Sequence, residues 1–164
     1  MAMFTPDQLA LAAQVLAASQ AANLRIVSAE TCTAGLVSAC LTSVSGASKT
    51  FERGFVLYHD SAKATGLGVP EAVSRSHGAV SAEVTQGLAE GALKHSTAGL
   101  SVAVTGYAGP GGGNEKNPVG TVYVASARQG RPSQVERHQF TGDRDAVRSA
   151  AVGAALALML KQLG

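Results

Sequence analysis

The sequence has no tryptophan, and aromatic residues of any kind make up only 4% of its 164 positions. Proteins that hold single-stranded nucleic acid stack bases on aromatic side chains, so a platform of that kind is not expected. Charge is also scarce: Asp, Glu, Lys and Arg together form 15% of the chain, against roughly 25% in an average soluble domain. Thirteen basic residues oppose eleven acidic ones, for a formal charge of +2. Neutralising many phosphates needs a basic excess, so no nucleic-acid partner is expected. Cysteine occurs twice, at Cys32 and Cys40. That is too few for a disulfide framework and suits two buried thiols in a reducing, cytoplasmic setting. The four histidines, His59, His77, His95 and His138, show no metal-ligand spacing with each other or with the cysteines, so no metal site is expected. No apolar run is long enough for a membrane span. The most apolar tract, 146–160, is shorter than the ~20 residues required, and Arg148 interrupts it; it reads as a buried helix. The opening Met1-Ala2-Met3-Phe4 has neither the basic nor the apolar region of a signal peptide.

Small residues are abundant instead, with 19 glycines and 30 alanines. The length suits one domain over 1–164. Thr5-Pro6-Asp7-Gln8 carries a helix start, with a capping residue, a proline at the first helical position and the glutamine of a capping box. That helix is expected to reach about Ala22. Strands are expected at 24–28, 54–58, 100–105, 119–127 and 134–140, the third apolar enough by composition to be central and the last two paired antiparallel through Gln129-Gly130-Arg131-Pro132. Helices are expected after Gly35, from Asp60 as cap to Gly66, from Ser81 to about His95, and from Asp143 to about Leu163. Helices that interleave with strands, followed by two consecutive strands, predict an α/β fold: a three-layer α/β/α sandwich around a mixed β-sheet.

Four constellations could carry chemistry. The loop from Gly106 to Pro118, with Gly109, Gly111 and Gly112, follows the expected central strand. Glycine backbone can approach an anion closely, and ligands bind beyond strand ends in open α/β sheets; a flexible connection is the plainer reading. Ala29-Glu30-Thr31-Cys32-Thr33-Ala34-Gly35 places hydroxyls and a thiol at a strand-to-helix turn, where free amides favour an anion; helix capping is the plainer reading. Tyr58-His59-Asp60-Ser61-Ala62-Lys63 offers a lysine that could act as a general base, or that simply lies on the surface. In Thr141-Gly142-Asp143-Arg144-Asp145, Arg144 could present its donor fork to a phosphate, or pair with a neighbouring aspartate.

In this order, AETCTAGL, GFVLYHDSAKATGLGV, HGAVS, AVTGYAGPGGG with PVGTVY, and FTGDRDAVR resemble the CinA carboxy-terminal domain family over about residues 8–160. Its single-domain members are nicotinamide-nucleotide amidases. The resemblance implies a hydrolase that releases ammonia from the carboxamide of nicotinamide mononucleotide, with a small-molecule nucleotide substrate and neither metal nor organic cofactor. It assigns Thr31 to the position of the family's nucleophilic serine in AESCTGG, Lys63 to the lysine that activates it, and Tyr58 to the neighbouring tyrosine. It also implies substrate contacts from Glu30, Thr33, Gly35, Thr105, Gly106, Gly109, Gly111, Gly112 and Arg144. Three positions depart from the family pattern: Thr31 for serine, Asp60 for asparagine and Ala34 for glycine. The same residues also suit a pyridine-nucleotide-binding domain of altered specificity or without turnover. A homodimer or higher homo-oligomer is expected as the commonest arrangement of such domains.

Overall fold

A computed structural model describes residues 2–164. Helix α1 (Pro6–Ala21) starts where the sequence places it: the Thr5 hydroxyl accepts from the Gln8 amide and the Gln8 side chain accepts from the Thr5 amide. The chain then forms β1 (Ile26–Glu30), α2 (Leu36–Thr42), a 3₁₀ turn (Ala47–Lys49) and β2 (Phe51–Val56). Three helices follow, α3 (Asp60–Leu67), α4 (Glu71–His77) and α5 (Ala82–Lys94). The last elements are β3 (Leu100–Gly106), β4 (Thr121–Arg128), β5 (Arg131–Gln139) and α6 (Arg144–Leu163).

The strands form one mixed sheet in the order β2-β1-β3-β4-β5, so β3 is central as its composition predicts. β1 is parallel to β2 and β3, whereas β3, β4 and β5 are successively antiparallel. Strand alternation sends Leu100, Val102 and Val104 into one core, with Val15 of α1, Val37 of α2 and Val152 and Leu156 of α6. Ala103 points to the other face and meets Val84 and Leu88 of α5. The result is the expected α/β/α sandwich. Small residues permit its close layers: a Cβ on Gly91 of α5 would stand 2.4 Å from the Leu67 carbonyl oxygen of α3.

α6 is apolar and long enough to cross a membrane by length and composition. It is instead a core helix: Val147, Ala151, Val152, Ala155, Leu156, Leu158 and Met159 are buried along it. Truncating a leucine such as Leu156 to alanine in this setting costs about 2–5 kcal/mol.

The structure differs from the sequence reading in places. The first strand lies at Ile26–Glu30 rather than 24–28, and the second at Phe51–Val56 rather than 54–58. Parallel pairing sets these limits, matching Ile26 to Phe51 and Glu30 to Val56. Helix α4 was not expected: none of its residues is buried, so it leaves no apolar periodicity to read. The cap of α3 is His59, whose Nδ1 accepts from the Ser61 amide, while Asp60 is the first helical residue.

Candidate active site

β1 leads through α2 on one face to β2, while β3 is reached through α5 on the opposite face. The carboxyl ends of β1 and β3 therefore flank a topological switch point, the usual place for a ligand in an open α/β sheet. A cavity of about 170 Å³ opens there, lined by Thr31, Cys32, Tyr58, Lys63, Ala79, Val80 and Gly106. Thr31 and Cys32 immediately follow β1, and Gly106 ends β3. Tyr58 lies just beyond β2, Lys63 is on α3, and Ala79 and Val80 precede α5. Larger grooves of about 490 and 520 Å³ occur elsewhere. The first is polar, at the amino ends of β1 and β3, and the second lies beside the start of α6; neither contains a hydroxyl beside a buried lysine. Chemistry, not volume, selects the smaller cavity.

Thr31 is nearly buried, at 7% exposure. Its amide and its Oγ1 both donate to the Val104 carbonyl of β3, at 3.2 and 2.9 Å. The Lys63 side chain is only 5% exposed, and its Nζ donates to Asp60 Oδ1 at 2.9 Å. Asp60 is 42% exposed, so this ion pair links the cavity to solvent. Tyr58 is exposed, and its Oη accepts from Arg144 Nη2 at 3.0 Å. Arg144 Nη1 donates to the Gly109 carbonyl at 2.8 Å. Arg144 thus ties the glycine-rich loop to the tyrosine at the cavity mouth. Cys32 also faces the cavity, but burial pushes its thiol up to about 11 from the ordinary 9.0. At neutral pH it remains a thiol and is a poor nucleophile.

The turn before α2 is organised by Glu30, whose carboxylate is 1% exposed. Its Oε2 accepts from the amides of Gly35 and Val37 at 3.0 Å and from Thr33 Oγ1 at 2.7 Å. Its Oε1 accepts from the Ser38 amide and hydroxyl at 2.9 and 2.8 Å and from Ser28 Oγ at 3.2 Å. A buried carboxylate without a cation is tolerated because donors saturate it. Glu30 and Thr33, expected as substrate contacts, are thus committed to the start of α2. Thr105 Oγ1 is likewise paired with Thr85 Oγ1 at 2.8 Å, under α5. These three side chains brace the site and do not line the cavity.

Ala34 and Gly35 turn the chain with φ of +46° and +100°. Glycine adopts this region freely, whereas Ala34 bears a strain of about 1–2 kcal/mol. In the other loop Gly109 is buried, while Gly111 and Gly112 are exposed. Buried Asn117, which sequence reasoning missed, pins this loop. Its Nδ2 donates to the Val80 carbonyl at 3.1 Å, and its Oδ1 accepts from Tyr123 Oη at 3.1 Å. The only sequence signal was an amide residue between charged Lys116 and Pro118. Arg148 was also missed as a site residue. It donates to the carbonyls of Cys32 and Thr33, and its signal was its place one helical turn after Arg144.

A hydroxyl, a buried lysine, a tyrosine and an arginine gathered at the carboxyl end of an α/β/α sheet define a small-molecule site. The chain belongs to the CinA C-terminal domain family, whose model matches residues 8–163. It is 42% identical over 160 residues to the nicotinamide-nucleotide amidohydrolase PncC of Escherichia coli K12, covering 98% of this chain and 97% of that protein. It is 43% identical over 141 residues to a competence-damage inducible protein of Caldicellulosiruptor bescii, spanning only 34% of that longer protein. The crystal structure of the competence/damage inducible protein CihA from Agrobacterium tumefaciens superposes with a TM-score of 0.95 at 36% identity, with 98% of each chain covered.

Proposed function

We propose that this chain is a nicotinamide-nucleotide amidohydrolase, converting nicotinamide mononucleotide and water to nicotinic acid mononucleotide and ammonia. The observation that carries this reading is the convergence of Thr31, Lys63 and Tyr58 on one cavity with Arg144 at its mouth. The resemblance to PncC over nearly the full length of both chains supports it.

In the proposed reaction Thr31 Oγ1 leaves the Val104 carbonyl and attacks the carboxamide carbon. Lys63 first passes its proton to Asp60 along their 2.9 Å contact; the neutral amine then takes the hydroxyl proton and delivers it to the departing nitrogen, so the C–N bond breaks and ammonia leaves. Asp60, open to solvent, carries the displaced proton meanwhile. Water then attacks the threonyl ester, Lys63 again relays the proton, and the acid is released. Arg144 would exchange Tyr58 for the substrate phosphate, beside the exposed glycines 111 and 112, because its planar fork matches phosphate oxygens. The substrate is a nucleotide of small size, with the pyridine ring in the cavity and the phosphate outside it.

The test is ammonia release from nicotinamide mononucleotide by the wild type beside Lys63→Ala and Arg144→Ala. Lys63→Ala is expected to lower kcat by at least about a hundredfold, the usual scale of general-base loss, with folding retained. Arg144→Ala is expected to raise KM about tenfold or more. A folded wild type that binds the nucleotide without releasing ammonia would instead favour a binding domain. The resting bonds of Thr31 to Val104 and of Lys63 to Asp60 are the features that reading would rest on.

A further inference from the structure

Arg148 stands one helical turn beyond Arg144 on α6, yet it reaches a different part of the site. Its Nε donates to the Cys32 carbonyl at 3.0 Å and its Nη2 to the Thr33 carbonyl at 3.5 Å. These carbonyls belong to the two peptides that follow Cys32 and Thr33, immediately after Thr31. Peptide units are rigid planes, so holding two successive carbonyls on one side fixes the backbone between them. The rest of the turn is tied from the sheet: the Thr31 amide donates to Val104, and the Thr31 carbonyl accepts from Ala34 at 3.0 Å. The Thr33 carbonyl also accepts from the Leu36 amide at 3.0 Å. The turn then enters the left-handed pair Ala34 and Gly35, a conformation that persists only where surroundings over-determine it.

The plainer role for Arg148 is an ion pair with Asp145. That contact is 3.9 Å long, and the Asp145 side chain is 91% exposed. Exposed pairs of this kind contribute little, so the carbonyl contacts are the substantial ones. We propose that Arg148 is a positioning residue: its guanidinium clamps the Cys32–Thr33 backbone against α6 and so keeps the Thr31 hydroxyl at the cavity. Lysine cannot replace it, because a single ammonium lacks two donors in one rigid plane. The catalytic consequence rests on the amidohydrolase reading; the clamping itself does not.

The two cysteines supply a test that separates these levels. Cys32 lies in the clamped turn, and Cys40 lies deep in α2, at 0% exposure. Arg148→Met and Arg148→Lys would be made in the full chain, labelled with iodoacetamide under native conditions, and each thiol quantified by peptide mass spectrometry. Release of the turn alone is expected to speed Cys32 labelling about tenfold in Arg148→Met while Cys40 is unchanged. Arg148→Lys should not restore the wild-type rate. In parallel, kcat for ammonia release should fall tenfold or more while KM stays within about twofold. Equal acceleration of both thiols would indicate general loosening and overturn the clamp, as would no change in either. Full recovery by lysine would overturn the requirement for the planar fork. If the wild type releases no ammonia, the amidohydrolase reading fails, and the ratio of the two labelling rates still decides the clamp.

Discussion

Replacing Thr31 by valine exchanges a hydroxyl for a methyl at nearly constant volume. The lost bond is the 2.9 Å donation from Oγ1 to the Val104 carbonyl. That carbonyl is not orphaned, because it still accepts from the residue-31 amide at 3.2 Å. The stability cost is thus one buried hydrogen bond, about 1 kcal/mol, partly offset by about 0.8 kcal/mol for an added buried methyl. For a domain of this size the melting temperature should move by no more than about 2–4 °C. Catalysis should respond differently. If Thr31 is the nucleophile, the covalent route disappears, and a loss of at least about a thousandfold in kcat is expected, or about 4 kcal/mol at 1.36 kcal/mol per decade. Ammonia release coupled to reductive amination of 2-oxoglutarate, read by NADH absorbance, has the range to detect this. Affinity for the product acid should stay within about threefold, since the Arg144 contacts are untouched. Thr31→Ser keeps the hydroxyl and removes the γ-methyl that restricts χ1, so its turnover should equal or exceed that of the wild type. A Thr31→Val protein retaining more than a tenth of the turnover would refute the nucleophile assignment.

Two further outcomes follow from groups that do no chemistry themselves. Glu30→Gln turns one acceptor oxygen into an NH₂ that faces hydroxyl and amide donors. Leaving such donors unmatched costs about 3 kcal/mol, so the melting temperature should fall by about 6–12 °C; a fall under 2 °C would show that Glu30 does not organise the turn. Burial holds both thiols at about 11 in the folded chain, against 9.0 ordinarily. Between pH 9 and 11 the unfolded state therefore binds fewer protons than the folded state, and stability falls as pH rises. The contribution is fully present below pH 9. Urea midpoints at pH 8 and 10.5 should drop less for Cys32→Ala than for the wild type, and equal drops would contradict the burial effect.

Much of the fold was legible because helix starts carry their own chemistry. The Thr5-Gln8 box, Ser81 and Asp143 each cap the helix that follows them, as their residue types suggest. β3 was legible because its mostly apolar run, broken only by Ser101 before Thr105, is the mark of a strand covered on both faces. α4 was not, since a seven-residue helix with no buried side chain writes no period into the sequence. β2 was displaced for a related reason: as an edge strand it is only partly buried, and its limits come from pairing with β1. At the site, the residue types at Thr31, Tyr58, Lys63 and Arg144 pointed to the positions that the structure gathers. Their neighbours were harder to sort. Glu30, Thr33 and Thr105 have the same polar chemistry, but in an irregular turn no periodicity tells which side chains face a ligand and which face the scaffold. Arg148 and Asn117 left only faint signals as site residues because their partners lie 116 and 37 positions away.

These long connections explain why the last helix governs a site formed mostly by the ends of earlier strands. Arg144 and Arg148 are separated by one turn of α6, a rise of about 6 Å along the axis. Arg144 holds the loop that follows β3 and the tyrosine that follows β2. Arg148 holds the turn that follows β1. Each of the three parallel strand ends therefore leads into a segment fastened to the same rigid rod. That rod is itself fixed, because its opposite side is packed into the core against α1, β3 and β4. A shift of α6 along or about its axis would move both guanidiniums together. It would disturb the glycine loop, Tyr58 and Thr31 at once, though none of them belongs to the helix. The apolar helix that reads from sequence as a buried core element is thus what holds the polar end of the molecule in register.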